Sequence, residues 1–149
     1  MADPQPQGTL ADPQARAAAE AILHKGLDHY DRQEFDQALA CYQQAVATDP
    51  TFALGYNNLG MVLIDLELYA EAIQALCYAI QLVPEYGEAY NNLGFVLRRL
   101  QRNVEAASSY AIFLSLEPDV EEGQRIQGWV QQVMQETGLA TLPELNLAL

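Results

Sequence analysis

Apolar residues recur every three to four positions along most of the chain, and that period predicts helices rather than strands. Ile73, Leu76, Ile80 and Val83 form one such stripe. Further on, Val120, Ile126, Trp129, Val130 and Val133 share a side, while Glu121, Gln124, Gln127, Gln131 and Gln132 fall largely elsewhere. Helix boundaries follow from local chemistry. Asp12 before Pro13 supplies an N-cap and a first helical position, and Asp49-Pro50 ends a unit because a residue before proline avoids the helical region. Asp119 with Glu122 three residues later resembles a capping box, and Gly138 follows the last periodic segment. The pattern predicts helices over 13–31, 36–47, 53–66, 70–82, 87–100, 104–116 and 120–136.

The predicted helices come in pairs that repeat. Tyr56, Asn57, Asn58, Leu59 and Gly60 recur as Tyr90, Asn91, Asn92, Leu93 and Gly94, an offset of 34 residues. A fainter copy lies upstream, where Gly26, Ala38 and Pro50 precede Gly60, Ala72 and Pro84, which precede Gly94, Ala106 and Pro118. Each unit is then a helical hairpin, unable to bury both its faces alone. Residues 1–12, with Pro4, Pro6 and Gly8, read as a flexible lead-in; 13–138 form the repeat domain; 139–149 carry five leucines, too apolar for an idle tail, and are expected to pack on something.

Composition narrows the functional classes. Hydrophobic residues make up 50% and charged ones 18% of the chain, which suits a folded protein. No apolar run approaches the length of a bilayer span, so no membrane insertion is expected. No basic segment leads into an apolar one near the N-terminus, and a cytoplasmic location is expected. The net charge of −13, from 20 acidic against 7 basic residues, repels phosphate backbones, so nucleic acid is not an expected partner. Cys41 and Cys77 lack metal-ligand spacing and read as helix packing. His24 and His29 are five residues apart, off a common helical face, with no nucleophile or metal motif beside them. Neither catalysis, nor a metal, nor a cofactor is implied.

The period, with Gly at position eight, Ala at twenty and Pro at thirty-two, resembles the tetratricopeptide repeat (TPR) family, with units at 19–52, 53–86 and 87–120 and a capping helix at 120–136. Departures from the family pattern fall in the outer units, at Lys25, His29, Asn103 and Phe113. The resemblance implies an all-α, right-handed superhelix of three helix-turn-helix hairpins plus the capping helix, with the first helix of each hairpin lining a concave groove.

That mapping places Leu23, Leu27 and Tyr30 from the first unit in the groove, then Asn57, Asn58, Met61 and Ile64, then Asn91, Asn92, Phe95, Arg98 and Arg99. Two features follow. The four asparagines form an amide row, and an amide offers donor and acceptor together to the main chain of an extended peptide. Asn58 and Asn92 are the expected contacts. Leu27, Met61 and Phe95, with Tyr30 and Ile64 one turn on, form an apolar patch if exposed and ordinary core if not. Arg98, Arg99 and Arg102 read either as a carboxylate site or as charges complementing a helix end. The family's carboxylate clamp would fall on Leu23, Leu27, Asn58, Glu88 and Asn92, where only Asn58 fits.

The sequence therefore points to a non-enzymatic module binding an extended, partly apolar segment of a protein or peptide partner, as adaptor, scaffold or assembly factor. Alternatives are a self-assembling structural module, its leucine-rich tail docked in its own or a neighbour's groove, or a small chaperone of a secretion or photosystem-assembly pathway.

Overall fold

The computed structural model describes residues 12–147; the lead-in expected for residues 1–12 lies almost wholly outside them. Seven helices and no strand occur among the described residues: α1 (Pro13–Asp31), α2 (Phe35–Thr48), α3 (Ala53–Asp65), α4 (Tyr69–Leu82), α5 (Gly87–Arg99), α6 (Asn103–Leu116) and α7 (Gly123–Thr137). None is long and apolar enough to cross a membrane. The α1/α2, α3/α4 and α5/α6 pairs are the expected hairpins, and each second helix packs on the next first helix. α1 also touches α3, and α3 touches α5. The first helices thus make one layer, and α7 follows α6 as a further first helix would.

Within each hairpin the glycine at position eight lets the two helices close. A Cβ on Gly26 would lie 2.7 Å from Tyr42 Cε1, on Gly60 2.6 Å from Leu76 Cγ, and on Gly94 2.8 Å from Tyr110 Cδ1. Ala38, Ala72 and Ala106 are fully enclosed, and the Ala72 carbonyl lies 3.5 Å from where the Gly60 Cβ would be. The turns carry no glycine. Gln33, Glu67 and Gln101 take positive φ near 60° instead, and the N–H of the next residue bonds back to His29, Leu63 and Leu97 respectively, a Schellman closure of each first helix.

Three clusters make one continuous core. Leu76, Ile80, Leu93 and Val96 centre the middle one, joined to the Tyr42/Val62 cluster through Leu39 and Leu59 and to the Tyr110/Val130/Val133 cluster through Ile126 and Trp129. At the first hairpin's exit, buried Asp49 accepts from Arg16 Nε and from the Thr51 backbone and hydroxyl. Burial alone would raise its carboxyl pKa, but these donors outweigh that and hold it below the usual range.

Two expectations are corrected. The capping-box start at Asp119 does not form: 119–122 is a turn closed by Gly123 N–H to Val120 O, and the helix begins at Gly123 with no side-chain cap. Val120 packs into the central cluster, and the turn carries it there. The leucine-rich tail packs on the protein as expected, but as far as residue 147 it does not take the alternative place in its own groove. It crosses the second-helix side, where Leu142, Leu145 and Leu147 pack on the core, Ser108 donates to the Pro143 carbonyl (2.9 Å) and Gln81 to that of Leu147 (3.1 Å). Gly138, left-handed at φ 70°, caps α7 as expected and reverses the chain into this path.

Candidate functional site

The first-helix face opens progressively from α1 to α7. At position five, Leu23 is only 2% exposed and belongs to the first core cluster, and Asn57 is fully enclosed; Asn91 is half-buried and reaches a cavity. Leu23 and Asn57 are therefore scaffold and not groove lining. The cause is their inward aim: α2 and α3 close over position five of α1, and α5 closes over position five of α3.

Position six behaves differently. Asn58 is 5% exposed, offering a ligand little surface, whereas Asn92 is half-buried and donates its Nδ2–H to Asn57 Oδ1 at 3.0 Å. The amide row is thus partly internal. The Asn57 amide also faces the Tyr86 hydroxyl, whose pKa burial pushes up to about 12, the Glu88 charge adding to the rise and Asn57 opposing it. Of the four asparagines, Asn91 and Asn92 remain at the surface.

The apolar positions are divided as well. Phe95 is 47% exposed, Met61 is half-buried, Leu27 leans on the first core cluster and Ile64 on the central one. Tyr30 packs on Phe35, ring centres 5.5 Å apart, and donates to Asp65 across α1 and α3 at 2.6 Å. Desolvation first, then that Asp65 contact, push the Tyr30 hydroxyl well above its ordinary pKa. A continuous patch does not form; Phe95 is its exposed remnant.

The expected arginine cluster does not converge. Arg102 pairs with Glu105, Arg99 donates to the Tyr69 hydroxyl of α4, and Arg98 lies over the Trp129 ring, 4.8 Å from its centre. α5 places positions 98 and 99 on different sides, and only Arg98 faces α7.

Between α5 and α7 lies a cavity of about 580 Å³ lined by Asn91, Asn92, Phe95, Arg98, Tyr110 and Trp129, with Ile126 and the Glu122–Arg125 pair at its edge. Tyr110 meets Trp129 edge-on, ring centres 5.7 Å apart. Burial raises the Tyr110 hydroxyl pKa, and the Arg98 guanidinium beside it pulls the other way. The wall from α7 is absent from the sequence-derived site. The signal for it was the single tryptophan on the apolar side of a helix that takes the place of a fourth first helix.

Comparison with known proteins agrees with this geometry. One family model, described as TPR repeat, matches residues 26–66, and another, described as tetratricopeptide repeat, matches residues 58–119. Among solved structures, the first TPR of Spaghetti (RPAP3), bound to the HSP90 peptide SRMEEVD, is 26% identical, with a TM-score of 0.76 over 86% of this chain and 99% of its own. MamA is also 26% identical, with a TM-score of 0.72 over 81% of this chain and 69% of its own. The Arabidopsis OM64 TPR domain, 23% identical with a TM-score of 0.75 over 79% of this chain and 98% of its own, shares the fold. No curated protein matches the chain.

Proposed function

Since the chain belongs to the tetratricopeptide repeat family, we propose that it is a non-catalytic interaction module that holds an extended, partly apolar segment of a protein partner along α3, α5 and α7, acting as adaptor or assembly factor. The observation that carries this reading is the α5 surface. Asn91, Asn92 and exposed Phe95 stand together beside a cavity that α7 closes on the far side. Amides next to an open aromatic ring suit main chain and side chain of one bound segment.

A similar domain is seen with an HSP90 peptide, but that ligand does not carry over readily. At the positions the family uses for a carboxylate clamp, Leu23 is core, Leu27 is half-buried and apolar, and Glu88 is an exposed acid. Apolar contact alone is also too weak here. Fully burying a side chain such as Phe95 yields about 1.5 to 3 kcal/mol, against association costs of about 4 to 15 kcal/mol. Polar contacts must therefore supply the remainder.

The test compares partners captured by the wild type and by the double variant Asn91→Ala/Phe95→Ala, followed by titration of a synthetic segment from each partner lost. Neither side chain makes a hydrogen bond within the described residues, so helix content and melting should not change. Affinity is expected to fall about tenfold or more. Partners retained equally by both proteins would sink the reading. Deleting residues 139–149 is expected to leave groove affinity within about twofold, since the tail lies on the other side of the hairpins. A clear gain would put the tail in the groove after all.

A further inference from the structure

The reading of α5 and α7 as a peptide face leaves open what chemistry it selects. Resting on that reading, we propose that the α5/α7 cavity is an anchor subsite for an acidic segment: an apolar side chain enters beside Phe95 and Trp129, and the carboxylate of a neighbouring Asp or Glu is taken by Arg98.

Charge carries the argument. The chain has a net charge of −13 and 7 basic residues in all. Among the described residues Arg16, Arg102 and Arg125 each have a carboxylate partner, Asp49, Glu105 and Glu122 respectively. Arg98 has none. Its guanidinium carbon lies over the Trp129 ring, and the group sits beside the Tyr110 hydroxyl. A guanidinium carries five N–H donors, so beside the Trp129 ring and the Tyr110 hydroxyl Arg98 retains donors for a carboxylate. Glu122 at the rim is matched by Arg125, so the cavity as a whole carries one uncompensated positive charge in a strongly acidic protein.

The cavity volume, about 580 Å³, exceeds what one guanidinium contact needs and leaves space for an apolar side chain against the two rings. Asn91 and Asn92 lie about one turn before Phe95 and two before Arg98 on the same helix, so a segment gripped there runs along α5 past Phe95 to Arg98. We commit to a side-chain carboxylate within such a segment. Of the five positions where the family's clamp would fall, only Asn92 lines this cavity; Phe95, Arg98 and Trp129 belong to none of them.

Trp129 is the single tryptophan, so its fluorescence reports the cavity directly. The probes are blocked peptides, acetyl-Gly-Ser-Leu-Glu-Ser-Gly-amide and the same peptide with Gln or Lys replacing Glu, together with a free-acid peptide ending in Leu. The Glu peptide is expected to give a saturable change, with the Gln peptide at least about fivefold weaker, the Lys peptide weaker still, and the preference shrinking as salt rises. Arg98→Gln should bring the Glu and Gln peptides to equal affinity, Arg98→Lys should keep part of the preference, and Arg99→Gln should leave it intact. Helix content confirms that each variant is folded. Equal binding of Glu and Gln peptides, a preference that survives Arg98→Gln, or tighter binding of the free-acid peptide would each overturn the assignment. So would silence of Trp129 with every peptide. The Asn91→Ala/Phe95→Ala capture result stands apart from all of these, so the subsite can fail while the peptide face holds.

Discussion

Leu76→Ala is expected to destabilise the protein by about 3 to 4 kcal/mol, read from the urea midpoint, without changing the spectrum of the folded state. Leu76 is fully enclosed in the middle helical pair and contributes to the cluster that joins the second hairpin to the third. In an array where each hairpin rests on its neighbours, a void at the centre weakens two interfaces together. The loss is a large share of a total stability of about 5 to 15 kcal/mol. A companion substitution tests the cause. A Cβ on Gly60 would sit 2.6 Å from Leu76 Cγ, and an enclosed Leu76 cannot retreat. Gly60→Ala alone should cost about 1 to 3 kcal/mol of overpacking, offset in part by about 1 kcal/mol of helix propensity. In the Leu76→Ala background the new methyl group fills part of the void, so the two changes should couple favourably by about 1 to 3 kcal/mol. Strict additivity would mean that the close approach of Gly60 to Leu76 is not what sets the spacing of this hairpin.

That contact is also why the fold could be read from the chain. Glycine at position eight meets a large residue at twenty-four in every hairpin, with an enclosed alanine at twenty, so one packing constraint is written three times at a fixed offset. The hairpin turns were less legible, because Gln33, Glu67 and Gln101 reach positive φ without the glycine that usually marks it. The start of α7 was misplaced because Val120 is drawn into the core, a tertiary contact that overrides the local capping signal of Asp119 and Glu122. The site was legible only where repeats behave alike. Position five is closed at Leu23 and Asn57 and open at Asn91, a difference set by which helices cover it. The other wall, Trp129 with Ile126, belongs to no repeat and had no period to reveal its place.

Tyr42→Phe is expected to raise stability by about 1 to 2 kcal/mol, the reverse of what removing a buried hydrogen-bonding group usually does. Tyr42 is fully enclosed at position twenty-four of the first hairpin, its ring against Gly26, and its hydroxyl finds no hydrogen-bond partner among the described residues. Folding buries that hydroxyl without a protein partner among the described residues, a cost that phenylalanine avoids with the same ring in the same place. Burial, then the Asp31 charge and a smaller contribution from Cys41, push its pKa up to about 12. The unfolded chain therefore ionises first, near pH 10, and the wild type loses stability as pH rises from there toward 12. Tyr42→Phe should flatten that slope as well as raise the melting temperature, by about 2 to 4 °C for each kcal/mol. Tyr110 occupies the same position in the third hairpin with Arg98 beside its hydroxyl, so Tyr110→Phe should gain nothing or lose stability. A Tyr42→Phe protein that melts lower than the wild type would mean that the hydroxyl has a partner after all, and the contrast with Tyr110 would then disappear.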